Sequence, residues 1–218
     1  MKYFNVEQGT QEWLALRAGK VTASRVKDVL ATIKSGEAVA RRDYRTQIVT
    51  EILTGAPVSD GFTNDAMRWG TEQEPMARSA YEVFTGKMVE VVGFVLHPTV
   101  ARSGCSPDGL LGWDGNDTLE GIVQFKCPKT STHLDYILDG RVPTNYHPQM
   151  LWEMACTGAP WCDFVSYDPR VPEHLQLFIR RFPRDQKRID EITKEVLEFL
   201  GDVDAMLERL AGAAPVEA

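Results

Sequence analysis

The sequence contains no apolar run long enough to span a bilayer, and its opening residues, Met1-Lys2-Tyr3-Phe4-Asn5, lack the apolar core of a secretory leader. Cysteine is scarce. Cys105, Cys127, Cys156 and Cys162 form no C-x-x-C pair and no histidine stands at zinc-finger spacing, which argues against a structural zinc and for free thiols in a reducing compartment. The even count leaves a disulfide open. Positive charge is in deficit: 24 Lys and Arg face 31 Asp and Glu, for a net charge of −7, the wrong sign for a simple non-specific nucleic-acid binder. Internal repeats and low-complexity linkers are also missing. With 218 residues, 43% hydrophobic and 25% charged, the chain reads as one domain over 1–218, with a frayed tail at 211–218.

What charge there is lies unevenly. Arg17, Lys20, Arg25, Lys27, Lys34, Arg41, Arg42 and Arg45 crowd the N-terminal part, while acidic residues gather in the last helical segment. Thr10 before Gln11-Glu12-Trp13 marks a helix start, ending near Ala18-Gly19. Thr22-Ala23-Ser24 opens a second helix, with Val26, Val29, Leu30 and Ile33 on one stripe. A third helix is expected over about 41–54, with Tyr44, Ile48 and Ile52 on one face and Gly55 as its stop. After a polar loop at 56–63, Thr63 or Asn64 can cap a helix running to Gly86, kinked or restarted after Glu74 by Pro75.

From Met88 the period changes from helical to alternating. Strands are expected over 88–97, 100–105 and 118–127, then helices over 130–138 and 144–157 with Thr130-Ser131-Thr132 as a cap. Further strands at 162–167 and 175–182 precede a long helix over 184–210. That order indicates an α/β fold with a central mixed β-sheet flanked by helices.

One stretch carries the chemistry. Ser106-Pro107-Asp108-Gly109-Leu110 places a carboxylate on a tight bend, and 122–127 reads as a strand in which Gln124 and Lys126 project to the same face. A hairpin would bring Asp108 beside them. An acid, an acid-like group and a lysine on adjacent strand ends suit metal-dependent phosphodiester hydrolysis, which needs neutralised phosphate charge and a deprotonated water. Asp108 and Gln124 would be metal ligands, the Phe125 carbonyl a third oxygen, and Lys126 would sit beside the attacking water. Taken singly, Pro-Asp-Gly is a common turn and Lys126 an ordinary strand lysine; the combination is what informs.

The chain resembles the phage lambda exonuclease family over nearly its whole length. The resemblance rests on Trp13-x-x-x-Arg17 with Gly19-x-x-Thr22-Ala23-Ser24, on Trp69-Gly70-x-x-x-Glu74, on Cys105-Ser106-Pro107-Asp108-Gly109-Leu110 and on Phe125-Lys126-Cys127-Pro128. A softer block joins Tyr146-x-x-Gln149 to Tyr167-Asp168-Pro169-Arg170. The resemblance implies a restriction-endonuclease-like core and a processive 5′→3′ exonuclease on linear double-stranded DNA, leaving 3′ overhangs for a single-strand annealing partner. It implies Mg²⁺, two ions with Mn²⁺ able to substitute, and a cytoplasmic homotrimeric ring that threads DNA. By the same resemblance Asp108 bridges metals, Lys126 is the catalytic lysine, Glu74 acts beside the metal and Gln149 orients the site. Arg17, Ser24 and Ser106 form a pocket for the 5′-terminal phosphate, and Met67 stands where the family has a strand-parting wedge.

The departure is Gln124, where the family has glutamate. The near-isosteric amide keeps the shape and removes one negative charge, leaving an oxygen that ligates weakly. Two origins fit it: a substitution that traps uncut DNA, which the otherwise intact pattern favours, or a natural variant of weakened catalysis. The competing readings are accordingly a non-catalytic DNA-end-binding module and an endonuclease on the same fold.

Overall fold

The computed structural model describes residues 1–58, 65–115 and 118–213. The chain begins with a short strand, β1 (Tyr3–Phe4), and then α1 (Gln11–Arg17), whose start is fixed where expected: the Trp13 N–H donates to Thr10 Oγ1 at 3.3 Å. β2 (Val21–Thr22) leads into a 3₁₀ turn, Ala23–Arg25, and a single helical turn, α2 (Val26–Val29). The expected stripe is cut short. Val26 and Val29 are buried, but the helix stops at Leu30 and Ile33 is 55% exposed. The β-branched pair Thr32-Ile33 and the following Ser35-Gly36 do not extend it.

α3 (Val39–Thr54) ends on Gly55 in the left-handed conformation at φ 66°, the stop the sequence indicates. Tyr44 and Ile48 face the core. Ile52 is 36% exposed, and the buried positions beside them are Val49 and Glu51. α4 (Asp65–Thr85) passes through Pro75 without interruption, so the expected restart does not occur. The candidate caps Thr63 and Asn64 lie outside the described residues, as does the expected frayed tail beyond Ala213.

The strand expected over 88–97 is two strands in two sheets. β3 (Val89–Glu90) and β4 (Phe94–Leu96) are separated at Gly93, where a Cβ would stand 2.2 Å from the Val6 carbonyl oxygen. β5 (Ser103–Cys105), β6 (Gly109–Leu111) and β7 (Gly121–Lys126) follow. α5 (Thr130–Asp139) is capped by Lys129, without a side-chain hydrogen bond from the threonines, and ends on left-handed Gly140. A 3₁₀ turn, Thr144–Tyr146, leads into α6 (His147–Thr157). β8 (Trp161–Tyr167), a 3₁₀ turn at Glu173–Leu175, β9 (Leu177–Pro183) and α7 (Gln186–Ala211) complete the chain.

The strands form a five-stranded sheet ordered β3-β6-β7-β8-β9 and a four-stranded sheet ordered β1-β4-β5-β2. Both are mixed: β7 pairs parallel with β8, and β2 parallel with β5, while the other pairs are antiparallel. The larger sheet is covered on both faces. Val123, Phe125 and Val165 point toward Ala77 and Tyr81 of α4, whereas Ile122, Cys162 and Phe164 point into the core shared by α6 and α7. The apolar face of α7 is the expected one, with Ile189, Ile192, Val196, Phe199, Leu200 and Val203 buried. All four cysteines are free thiols.

Candidate active site

β6 and β7 form the hairpin that the Asp108 reading requires, with Gly109 opposite Val123 and Leu110 opposite Ile122. Asp108 immediately precedes β6, so it meets the C-terminal half of β7. Its Oδ2 accepts from the Phe125 N–H at 2.7 Å and from Gln124 Nε2. Among the described residues no hydrogen bond is directed at Oδ1, which leaves that oxygen for a cation or water. Burial pushes the Asp108 carboxyl up, against the opposing pull of Lys126 and the two N–H donors.

Gln124 and Lys126 lie on the same side of β7, as the strand period requires. Gln124 is 1% exposed. With its nitrogen committed to Asp108, its oxygen faces the other way and accepts from Gln149 Nε2 of α6 at 2.7 Å. The amide oxygen that the sequence offers as a metal ligand is thus turned toward helix α6 in this arrangement. The Lys126 ammonium sits 5.4 Å from the centroid of the Tyr146 ring, within cation–π range.

Glu74 approaches from α4, on the other side of the sheet end. Burial and then the Asp108 charge raise its carboxyl to about 7, only partly offset by Arg78 and Lys126. Arg78 Nη2 lies 3.7 Å from Glu74 Oε1 one helical turn away. A groove of ≈ 750 Å³ runs over this end of the sheet, lined by Trp69, Glu74, Phe125, Lys126, Tyr146 and Arg170 among others. Arg170 lies over the Trp69 ring at 4.4 Å and is clamped by the buried Asp168, with Nε–Oδ1 at 2.7 Å. Burial works against the Asp168 carboxylate, but hydrogen bonds from Arg170 and Thr130 outweigh it and hold the group down at about 2.

The second predicted cluster also assembles. The parallel pairing of β2 with β5, Val21 opposite Ser103, carries the 21–24 turn alongside 103–106. Arg17, at the end of α1, donates from Nη1 to Ser106 Oγ at 3.2 Å and from Nη2 to Ser24 Oγ at 3.4 Å. Its guanidinium stacks 4.1 Å above the Trp13 ring, and Trp13 Nε1 donates to Ser106 Oγ at 2.9 Å. Desolvation lowers the Arg17 pKa from its very high ordinary value. Ser24 sits inside the 3₁₀ turn, and its Oγ also lies 3.5 Å from Thr22 Oγ1. Beneath the pocket, buried Glu51 accepts from the Gly19 N–H at 2.7 Å, and Tyr44 Oη accepts from the Thr22 N–H at 3.0 Å. An arginine fork with two hydroxyls is a phosphate-recognition set.

Ser106 and Asp108 are two residues apart, so one short segment contributes to both clusters. Met67 falls in the first turn of α4, but its side chain lies outside the described residues. Sequence reasoning missed Arg78 and Glu153. Glu153 is a fully buried carboxyl on α6 that accepts from Gln149 Nε2 at 2.9 Å. The only signal for it is its i, i+4 spacing from Gln149.

The donor set suits a hard cation more than a soft one. Asp108 Oδ1, the Glu74 carboxylate and backbone oxygen are hard ligands, and no cluster of three or more His, Cys, Asp or Glu side chains able to hold a metal occurs among the described residues. A cation that keeps much of its own water, as Mg²⁺ does, fits two carboxylates better than one that needs a full protein cage.

A family model described as the YqaJ-like viral recombinase domain matches residues 12–160. Two solved structures of LHK-Exo, an alkaline exonuclease from Laribacter hongkongensis, are similar at 45% identity. The one in complex with dAMP covers 92% of this chain and 96% of its own, with a TM-score of 0.83; the other covers 93% and 96% at 0.82. A phage-related exonuclease from Haemophilus somnus, at 16% identity and a TM-score of 0.67 over 88% of this chain and 96% of its own, shares the fold. No curated protein sequence matches significantly. With these likenesses, the two mixed sheets and their flanking helices are the expected restriction-endonuclease-like α/β core.

Proposed function

The chain belongs to the YqaJ-like viral recombinase domain family, as its resemblance to phage lambda exonuclease implies, and on that premise we propose that it is a Mg²⁺-dependent exonuclease of linear double-stranded DNA. It degrades one strand 5′→3′, releases mononucleotides and leaves a 3′ overhang for a single-strand annealing partner. The observation that carries this reading is the shared segment: Ser106 belongs to the arginine pocket and Asp108 to the acidic cluster, with one residue between them. A terminal phosphate held by Arg17, Ser24 and Ser106 would lie next to the position where the first phosphodiester meets Asp108.

Asp108, Glu74, the Phe125 carbonyl and, with its amide turned over, Gln124 would hold Mg²⁺, with Mn²⁺ able to replace it. When bound, the ion supplies charge neutralisation at the phosphate and a lower pKa for the attacking water. Lys126 stabilises negative charge developing on the phosphate oxygens. Glu74, whose carboxyl burial and the Asp108 charge raise to about 7 with no ion bound, would be held as the carboxylate once it ligates Mg²⁺. Arg17 fixes the end of the strand, and Gln149 orients Gln124. Processive action follows if the chain assembles as a homotrimeric ring.

Gln124 is the feature that favours a second reading, a DNA-end-binding module without hydrolysis. The two separate on 5′-phosphorylated linear duplex with Mg²⁺. Gln124→Glu is expected to release nucleotides at least about 10-fold faster than the parent chain, the scale on which a metal site's supporting groups matter. No release from the restored chain would sink the enzyme reading, and cutting of closed circular DNA would favour the endonuclease.

A further inference from the structure

Behind the site, Glu153, Gln149 and Gln124 form a chain of three buried or half-buried side chains running from α6 to β7. Both hydrogens of the Gln149 amide are used: one goes to Gln124 Oε1 at 2.7 Å and the other to Glu153 Oε1 at 2.9 Å. Gln124 in turn donates to Asp108. Glu153 is 0% exposed, and its second oxygen, Oε2, is buried with no hydrogen-bond partner among the described residues. A buried carboxyl with an orphan oxygen is costly, and the phosphate and acid clusters give it no task.

Such a chain has a polarity, and the polarity can reverse. In the observed direction every N–H points away from Gln149 or toward Asp108, so the Gln124 oxygen is turned from the acid. If both amides rotate by half a turn, Gln124 Oε1 faces the Asp108 side and its Nε2 donates to Gln149 Oε1. That oxygen then needs a donor, not an acceptor, on Glu153. A carboxylate cannot supply one; a carboxylic acid can, through a proton on Oε1. In the observed direction the acid proton would have to sit on the partnerless Oε2, so a neutral Glu153 is better satisfied by the reversed chain. The surroundings of Glu153 favour the neutral acid. Burial and then the Asp108 charge push its carboxyl up to about 8, with Gln149 and Lys126 opposing.

We propose that Glu153 is a positioning residue for the metal site, setting through Gln149 which end of the Gln124 amide faces Asp108. This rests on the metal reading given above. It also supplies what a glutamine at position 124 needs and a carboxylate would not: an amide has one ligating oxygen and must be turned correctly, whereas a carboxylate presents oxygen either way.

The test is a double-mutant cycle on Mn²⁺ binding by the full chain without DNA at pH 7, read by calorimetry. Glu153→Gln, which can donate or accept, should bind Mn²⁺ within twofold of the parent. Glu153→Leu should bind about fivefold more weakly, the worth of one buried hydrogen bond. In the Gln124→Glu background the same Glu153→Leu change should alter affinity by less than twofold. An equal loss in both backgrounds would reduce Glu153 to a packing role, and an equal loss for the glutamine and leucine variants would do the same. Either result overturns the proposal while leaving the metal site standing. Failure of all the chains, including Gln124→Glu alone, to bind Mn²⁺ would overturn both.

Discussion

At the scale of single residues, the site is a set of carboxyls held away from their ordinary protonation. Glu74 and Glu153 are raised to about 7 and about 8, and both owe this first to burial and next to the Asp108 charge. A carboxyl raised on folding stabilises the fold fully below the ordinary carboxylate range and loses that contribution as pH climbs to its folded value. The parent chain should therefore become less stable from about pH 4.5 to about pH 8, at up to ~1.4 kcal/mol per pH unit for the fully buried Glu153 and by less for Glu74, whose partly exposed side chain is screened by solvent. Glu153→Gln removes one of the two. In EDTA, its melting temperature should match the parent's near pH 5 and exceed it by several degrees at pH 8, with no further divergence above that. Parallel curves for the two chains would contradict the assignment of a buried, neutral Glu153.

Elements place these residues, and the hairpin of β6 and β7 does most of it. Gly109, the first residue of β6, admits no side chain: a Cβ would stand 2.1 Å from Val89 Cγ1 and 2.9 Å from Val123 Cγ1. Gly109→Ala should overpack this contact and cost about 1–3 kcal/mol in urea unfolding, with Val89→Ala recovering part of the loss. An unperturbed midpoint would contradict the close approach. The same hairpin marks how far the sequence could be read. Asp108, Gln124 and Lys126 were legible because strand alternation and a Pro/Gly bend are local signals, and the α7 stripe was legible because its period is long and clean. The splitting of 88–97 was not, since Val89 and Phe94 both look like buried strand and only their pairing, β3 with β6 and β4 with β1 and β5, puts them in different sheets. The short strands β1 and β2 carry two residues each and have no periodicity to read. Glu153 was missed for a related reason: a glutamate on a helix is usually solvated, and only the fold puts it behind Gln124.

For the molecule as a whole, four of the eight basic residues crowded in the N-terminal part are neutralised within the chain. Arg25 pairs with Asp28, Arg41 with Glu37 and Asp202, Arg42 with Asp43, and Arg45 with Glu37. Arg17 differs, with hydroxyls and an aromatic ring as its partners. A chain of net charge −7 holds duplex DNA better by enclosing it than by charge alone, which is the physical argument for the proposed ring. Light scattering on the full chain should give the mass of a trimer; a monomer at working concentration would remove the basis for processivity. In the proposed mechanism one segment joins a terminal-phosphate pocket to the acid that meets the first phosphodiester. This is tested most directly by initial rates of nucleotide release, in the Gln124→Glu background, from linear duplexes ending in 5′-phosphate or 5′-hydroxyl, with and without Arg17→Ala. A preference for phosphate of about 10-fold or more, the worth of a charge-assisted contact, should collapse to near parity on loss of the guanidinium. Equal rates on both ends before the substitution, or a preference that survives it, would contradict the claim.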